Sequence, residues 1–396
     1  MAETQTVAQA SKSALDRETK VRPRLDSIDL LRGLVMALMA LDHTRDFFGG
    51  SDWNPRDVTD PALFLTRWIT HFCAPIFIFL AGLAAYLYGA RGRSTTEVSR
   101  YLFTRGFLLI LLEFTVIRVA WTFSLRFDQL TAGVIWTIGA SMMALAALIY
   151  LPRWAVAALA VAMIAGHNLF DSVQAESLGS GGWVWHLLHQ PGLVRLDDAG
   201  TVYVLYPLIP WIGVMAAGCA LGPVIELDAK ARRRWLLMFG GAVTAGFVLL
   251  RATNLYGDPA PWTMQETWSA TVLSFLNCEK YPPSLLFLMM TLGPALLLLA
   301  SFDHARGRVA QWLRTFGRVP FFFYVIHLYV IHGLAVGFAL ATSTAPGPLS
   351  PERPVTALGL SGIYLTWLVV LTALYPLCSW FAGLKQSRIE WWWSYL

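Results

Sequence analysis

Charge is the scarcest commodity in this sequence of 396 residues. Asp, Glu, Lys and Arg make up 14% of it, where a soluble domain carries about 25%. Cysteine is scarce as well. Cys73, Cys219, Cys278 and Cys378 form no CxxC pair, so neither a zinc site nor a disulfide framework is indicated. HxxxH and HExxH pairs, a P-loop, a nucleophile elbow and a dinucleotide fingerprint are all missing, and no metal is expected. What fills the space is oil: 56% hydrophobic residues, with 17 Trp. A soluble fold of this length lacks the interior to hide so much apolar surface. The same numbers exclude disordered, collagen-like and disulfide-rich secreted chains. A polytopic all-α membrane protein remains.

A spanning helix needs roughly 20 mostly apolar residues. Ten stretches qualify, near 28–48, 61–89, 101–124, 130–150, 153–170, 201–222, 233–252, 283–302, 319–341 and 357–382. The polar, mixed-charge residues 1–26 have no apolar core and read as a tail, leaving 27–396 as a single transmembrane domain. The net charge of +5 would suggest nucleic acid in a soluble protein, but here the basic residues cluster in alternate loops. Lys12 to Arg24, Arg91 to Arg100, Arg153, Lys230 to Arg234, Arg306 to Arg318, and Lys385 with Arg388 share one side. The other side holds few: Arg56, Arg126, Arg195, Lys280 and Arg353. That bias predicts both termini in the cytoplasm. The longer loops then fall on the far side, where they shape a substrate entrance or merely cap the bundle.

The charges left inside the spans are costly, at least about 2.5 kcal/mol near the bilayer centre. The first span carries Asp29 and Arg32 at its start and Asp42, His43 and Arg45 near its end. Asp29 and His43 project from a similar side, about 21 Å apart along a helix. Asp29 and Arg32 are spaced to pair. In the second span Arg67 and His71 share a face, and Pro75 removes a backbone bond beside His71. The third span holds Glu113 and Arg118, with Arg118 expected to reach outward, and the ninth holds His327 and His332. Two prolines, Pro207 and Pro210, break or bend the sixth. Such a set suits acyl transfer, which needs a base for the incoming nucleophile and a donor for the oxyanion. His43 is the candidate base, Asp42 or His71 its orienting or relaying partner, and Arg45 or Arg67 the oxyanion donor. The same residues could instead form the proton relay of a secondary transporter, although the two halves show no repeat. An inactive membrane scaffold is the third reading.

The run Arg24-Leu25-Asp26-Ser27-Ile28-Asp29-Leu30-Leu31-Arg32-Gly33, followed by Asp42-His43, resembles the opening of the transmembrane acyltransferase superfamily. More closely, it is similar to bacterial proteins of the heparan-alpha-glucosaminide N-acetyltransferase catalytic family. Pro75 to Gly82, Ile209 to Gly213, Lys280 to Ser284, and Gly317-Arg318 leading to Tyr324 and His327 extend the likeness in order along the chain. The resemblance implies an integral enzyme of the bacterial inner membrane. It would take an acyl group, usually acetyl, from cytoplasmic acetyl-CoA to an amine or hydroxyl of a sugar or glycan at the far face. Its partners would be lipid, acyl-CoA and that acceptor, with no nucleic acid, and it leaves a homodimer open. The spacing of Arg32 and His43 matches the O-acyltransferase branch. The lysosomal enzyme instead carries its active histidine in the next luminal segment, and this chain has none between Thr44 and Thr70. Asp29, Arg32, Arg67 and His327 are then the expected contacts to the CoA donor, with His43, Asp42, His71 and Arg45 carrying the chemistry.

Overall fold

The computed structural model describes residues 25–50, 53–197, 200–342 and 358–387. The polar tail expected over 1–26 lies outside these except for its last two residues, and the first helix already starts at Asp26. In order come α1 (Asp26–Phe48), α2 (Pro61–Thr70), α3 (Cys73–Gly89) and α4 (Thr95–Leu112). A π-helical turn (Glu113–Ile117) joins α4 to α5 (Arg118–Thr122), and α6 (Val134–Leu148) and α7 (Arg153–Gly166) follow. Then come α8 (Gly182–Leu188), α9 (Leu208–Glu226), α10 (Ala229–Thr253), α11 (Trp268–Leu276) and α12 (Leu285–Ser301). The amphipathic α13 (Arg308–Arg318), α14 (Pro320–Thr342) and α15 (Leu360–Ser387) close the order.

Seven helical stretches among the described residues are long and apolar enough to cross a membrane, and the chain is an integral membrane protein of the all-α polytopic class. The other three expected spans are helices too. Asp26–Phe48 and Thr95–Thr122 are interrupted by charge, and Val134–Leu148 is short.

Local chemistry explains where the helices depart from the expected spans. The second span breaks at His71 and Phe72, because Pro75 has no N–H to offer the His71 carbonyl. The sixth starts at Leu208 rather than 201. Pro207 caps it and Pro210 sits in its first turn, where missing donors cost nothing. Residues 201–204 are instead a strand, the middle of a small sheet at the far end of the bundle. There β1 (Gln129–Ala132) runs parallel to β3 (Thr201–Val204), and β2 (Gly192–Arg195) runs antiparallel to it. Arg118 does not reach outward. It is buried and donates to the Gln129 carbonyl at 2.7 Å, which ties α5 to that sheet.

Helix α1 lies at the centre, packed by α3, α12, α13, α14 and α15. Protein rather than lipid therefore surrounds its charges. Close backbone contact holds this arrangement. A Cβ on Gly33 would lie 1.7 Å from the Leu313 carbonyl oxygen, and one on Gly317 would lie 1.8 Å from that of Asp29. Gly82 and Gly218 make the equivalent crossing between α3 and α9. Small residues at a crossing are how membrane helices reach backbone contact.

We expect Gly33→Ala to destabilise the detergent-solubilised protein by at least about 1–3 kcal/mol, read as a lowered thermal unfolding midpoint. Gly241→Ala, in open space on α10, should leave the midpoint unchanged or raise it.

Candidate active site

A cavity of about 820 Å³ runs beside α1. At the end where the chain's basic clusters gather it is lined by Asp29, Arg32, Arg91, Arg105, Arg232, Arg318 and Lys385. Its middle is apolar, with Met36, Met39, Phe77, Ile138 and Met142. At the opposite end it meets Asp42, His43, Thr70, Tyr206, Lys280 and Tyr324. One cavity thus touches both polar ends of the first helix.

Arg32 bridges the basic end. Its guanidinium donates to Asp29 at 3.2 Å, as the spacing predicts, and to the Gly317 carbonyl at 3.2 Å. The glycine contact of α1 with α13 brings Arg32 and Arg318 to one rim. In the sequence, Arg91 and Arg232 belong to clusters that could attract CoA phosphates but that orientation bias explains equally well, and Arg318 stands out only as part of a family motif.

At the far end His43 does not meet the partner its neighbourhood suggested. Its Nδ1 lies 2.7 Å from Nε2 of His327, with the two rings nearly parallel and their centroids 4.9 Å apart. His327 Nδ1 lies 2.9 Å from the Phe323 carbonyl oxygen, which can only accept. That carbonyl assigns every proton in the chain. His327 donates from Nδ1 and accepts at Nε2, so His43 donates from Nδ1 and keeps its lone pair on Nε2. His43 lines the cavity, whereas His327 is wholly buried behind it. Trp121 packs edge-on against His43 at 4.8 Å.

The remaining expected residues divide. Asp42 accepts from Thr70 Oγ1 at 2.8 Å and pairs with Arg45 at 2.6 Å, so its bonds lie with them and not with His43. Arg45 also holds Asp46 at 2.9 Å and is not among the cavity-lining residues. Neither are Arg67 and His71. His71 is buried against Phe287, and neither ring nitrogen finds a hydrogen-bond partner. His332 is a strut, bonded to the Ala120 carbonyl and stacked on Phe123. Glu113, in the π-helical turn, accepts from the backbone N–H of Trp136. It anchors α6 rather than facing another charge.

Lys280 was missed as a site residue. It is buried, lines the cavity and lies close enough to Asp42 for their charges to interact. Burial pulls its ammonium down, but Tyr281 and Asp42 outweigh this and hold it above the ordinary lysine value. Its loop is built from the far side. Arg251 donates to the carbonyls of Ala260, Phe275 and Asn277, and Asp258 accepts from the Glu279 N–H and the Ser284 hydroxyl. The Lys280-Tyr281-Pro282-Pro283-Ser284 motif was visible in the sequence; its depth was not.

The proton assignment predicts an Nδ1–H tautomer for His43. Nitrogen-15 NMR of histidine-labelled protein should show it, and His327→Phe should release that preference while the fold survives.

Comparison with curated proteins yields no match. Residues 24–255, more than half of the chain, match the family described as heparan-alpha-glucosaminide N-acetyltransferase, catalytic, a family that uses acetyl-CoA as donor. That range takes in α1 with Asp29, Arg32, Asp42 and His43, and the helices from α2 to α10, while Lys280, Arg318 and Tyr324 of the cavity lie beyond it; this integral membrane protein belongs to the heparan-alpha-glucosaminide N-acetyltransferase catalytic family.

Proposed function

We propose that the protein transfers an acetyl group from cytoplasmic acetyl-CoA to an amine or hydroxyl of a sugar at the other face of a bacterial inner membrane. The observation that carries this reading is one cavity with a basic rim at one end and His43, its proton position assigned, at the other. This reading puts both termini in the cytoplasm, the side that the bias of the basic loops favours. The phosphates of the donor meet Arg32, Arg91 and Arg318, and the apolar middle takes the arm that leads to the thioester.

The chemistry follows from the geometry. His43 Nε2 removes the proton from the acceptor as its nitrogen or oxygen attacks the thioester carbonyl carbon. Lys280 stabilises the oxyanion, a role that Arg45, engaged by two carboxylates, is poorly placed to take. Collapse breaks the carbon–sulfur bond, and the imidazolium returns its proton to the departing thiolate. Throughout, His43 Nδ1 donates to His327, so the ring needs no reorientation when it becomes charged.

The test is transfer of radiolabelled acetyl from acetyl-CoA to amino sugars and neutral sugars by protein in proteoliposomes. His43→Ala should lower turnover by about 10²–10⁴, and Lys280→Met should lower kcat by about 10²–10³. Arg318→Ala should mainly raise KM for acetyl-CoA. All three should melt like the parent. Undiminished turnover in His43→Ala would remove it as the base. Proton-coupled sugar uptake without acetyl-CoA would replace the whole reading with a transporter.

A further inference from the structure

A second cluster lies outside the cavity along α1. His167 stands in the 3-10 turn that ends α7, Asp171 follows one turn later, and His189 closes α8. One ligand atom from each lies within 4.8 Å of the others. His167 and His189 are each 2% exposed. Neither nitrogen of His167 makes a hydrogen bond of normal geometry, and neither does His189 Nδ1. Three buried imidazole nitrogens without well-formed hydrogen bonds, beside a carboxylate, are costly unless something else satisfies them.

We infer that His167, Asp171 and His189 bind a divalent transition-metal ion, zinc by the chemistry of the set. Two imidazoles and one carboxylate form a ligand set that zinc accepts. Ligand atoms of a tetrahedral zinc site lie roughly 3.3 Å apart, given metal–ligand distances near 2.0–2.2 Å. His189 Nε2 and Asp171 Oδ1 already stand 3.2 Å apart. His167 completes the set by moving on the order of 1 Å.

The surroundings match a metal site. The second oxygen of Asp171 accepts from Asn168 Nδ2 at 2.9 Å, and the Pro283 carbonyl lies beside His167. Such outer partners fix the orientation of metal ligands. Asp171 and His189 also line a cavity of about 190 Å³, with Glu279 and Tyr281 among others, which has room for a water to serve as a fourth ligand. The ion would fasten residues 167–190 together next to the loop that carries Lys280. Asn168 also accepts from the Leu285 N–H at 2.9 Å, at the end of that loop. No metal signature is visible along the chain because His167 and His189 are twenty-two positions apart, with 3-10 turns and a helix between them.

The test uses the full chain, purified in detergent without a polyhistidine tag. After exposure to zinc and dialysis, elemental analysis should find one zinc per chain. Cobalt should give the strong visible absorption of a tetrahedral site, removed by a chelator and by added zinc. His189→Gln and the double variant His167→Gln/His189→Gln should lose at least ten-fold in zinc affinity. Less than stoichiometric zinc in the parent protein overturns the inference, as does an unchanged cobalt spectrum in the double variant. Should the variants fail to fold, the parent's stoichiometry and cobalt spectrum decide. Acetyl transfer is not part of the readout, so failure here leaves the proposed reaction standing.

Discussion

The constraint from which the rest follows is that the most highly charged helix of the bundle also lies at its centre. Asp29, Arg32, Asp42, His43 and Arg45 could not face lipid without a cost of several kcal/mol. Helices α2, α3, α12, α13, α14 and α15 therefore pack around α1, and two glycines let α13 approach to backbone contact. What the packing leaves unfilled is a cavity along the same helix. Burial of α1 and access to α1 are two results of one arrangement.

Within that arrangement, polar groups sort by whether they are satisfied. Asp42 is engaged by both Arg45 and Thr70, a contact that holds α1 against α2. His43 and His327 satisfy each other but leave one nitrogen available, on the residue that borders the cavity. A residue with all its bonds made is a poor base, and one with none is a burden on the fold. The histidine pair lies between those extremes.

Much of this was legible in the sequence. Scarcity of charge set the class, apolar runs located the helices, and Pro75 marked the break beside His71. The short matching runs named the family before any coordinates. Other features depend on residues far apart in the chain, and these were not legible. His43 and His327 are 284 positions apart, so the nearer His71 looked the better partner. Lys280 read as a loop charge because the network of Arg251 and Asp258 that buries its loop is built mostly from backbone carbonyls and amides, which leave no side-chain pattern. The strand at 201–204 read as helix since four apolar or β-branched residues beside an apolar span carry no period of their own.

The fourteen positions between Asp29 and His43 also work as a ruler. They separate the basic rim from the imidazole by about 21 Å of helix. A donor whose charged head rests at Arg32 and Arg318 must carry its reactive carbonyl on a slender arm of that order, flexible and largely uncharged enough to lie among Met36, Met39 and Met142. A compact activated acyl group such as an acyl phosphate falls short when its phosphate is at the rim. On the proposed reaction, length more than any single contact selects the donor.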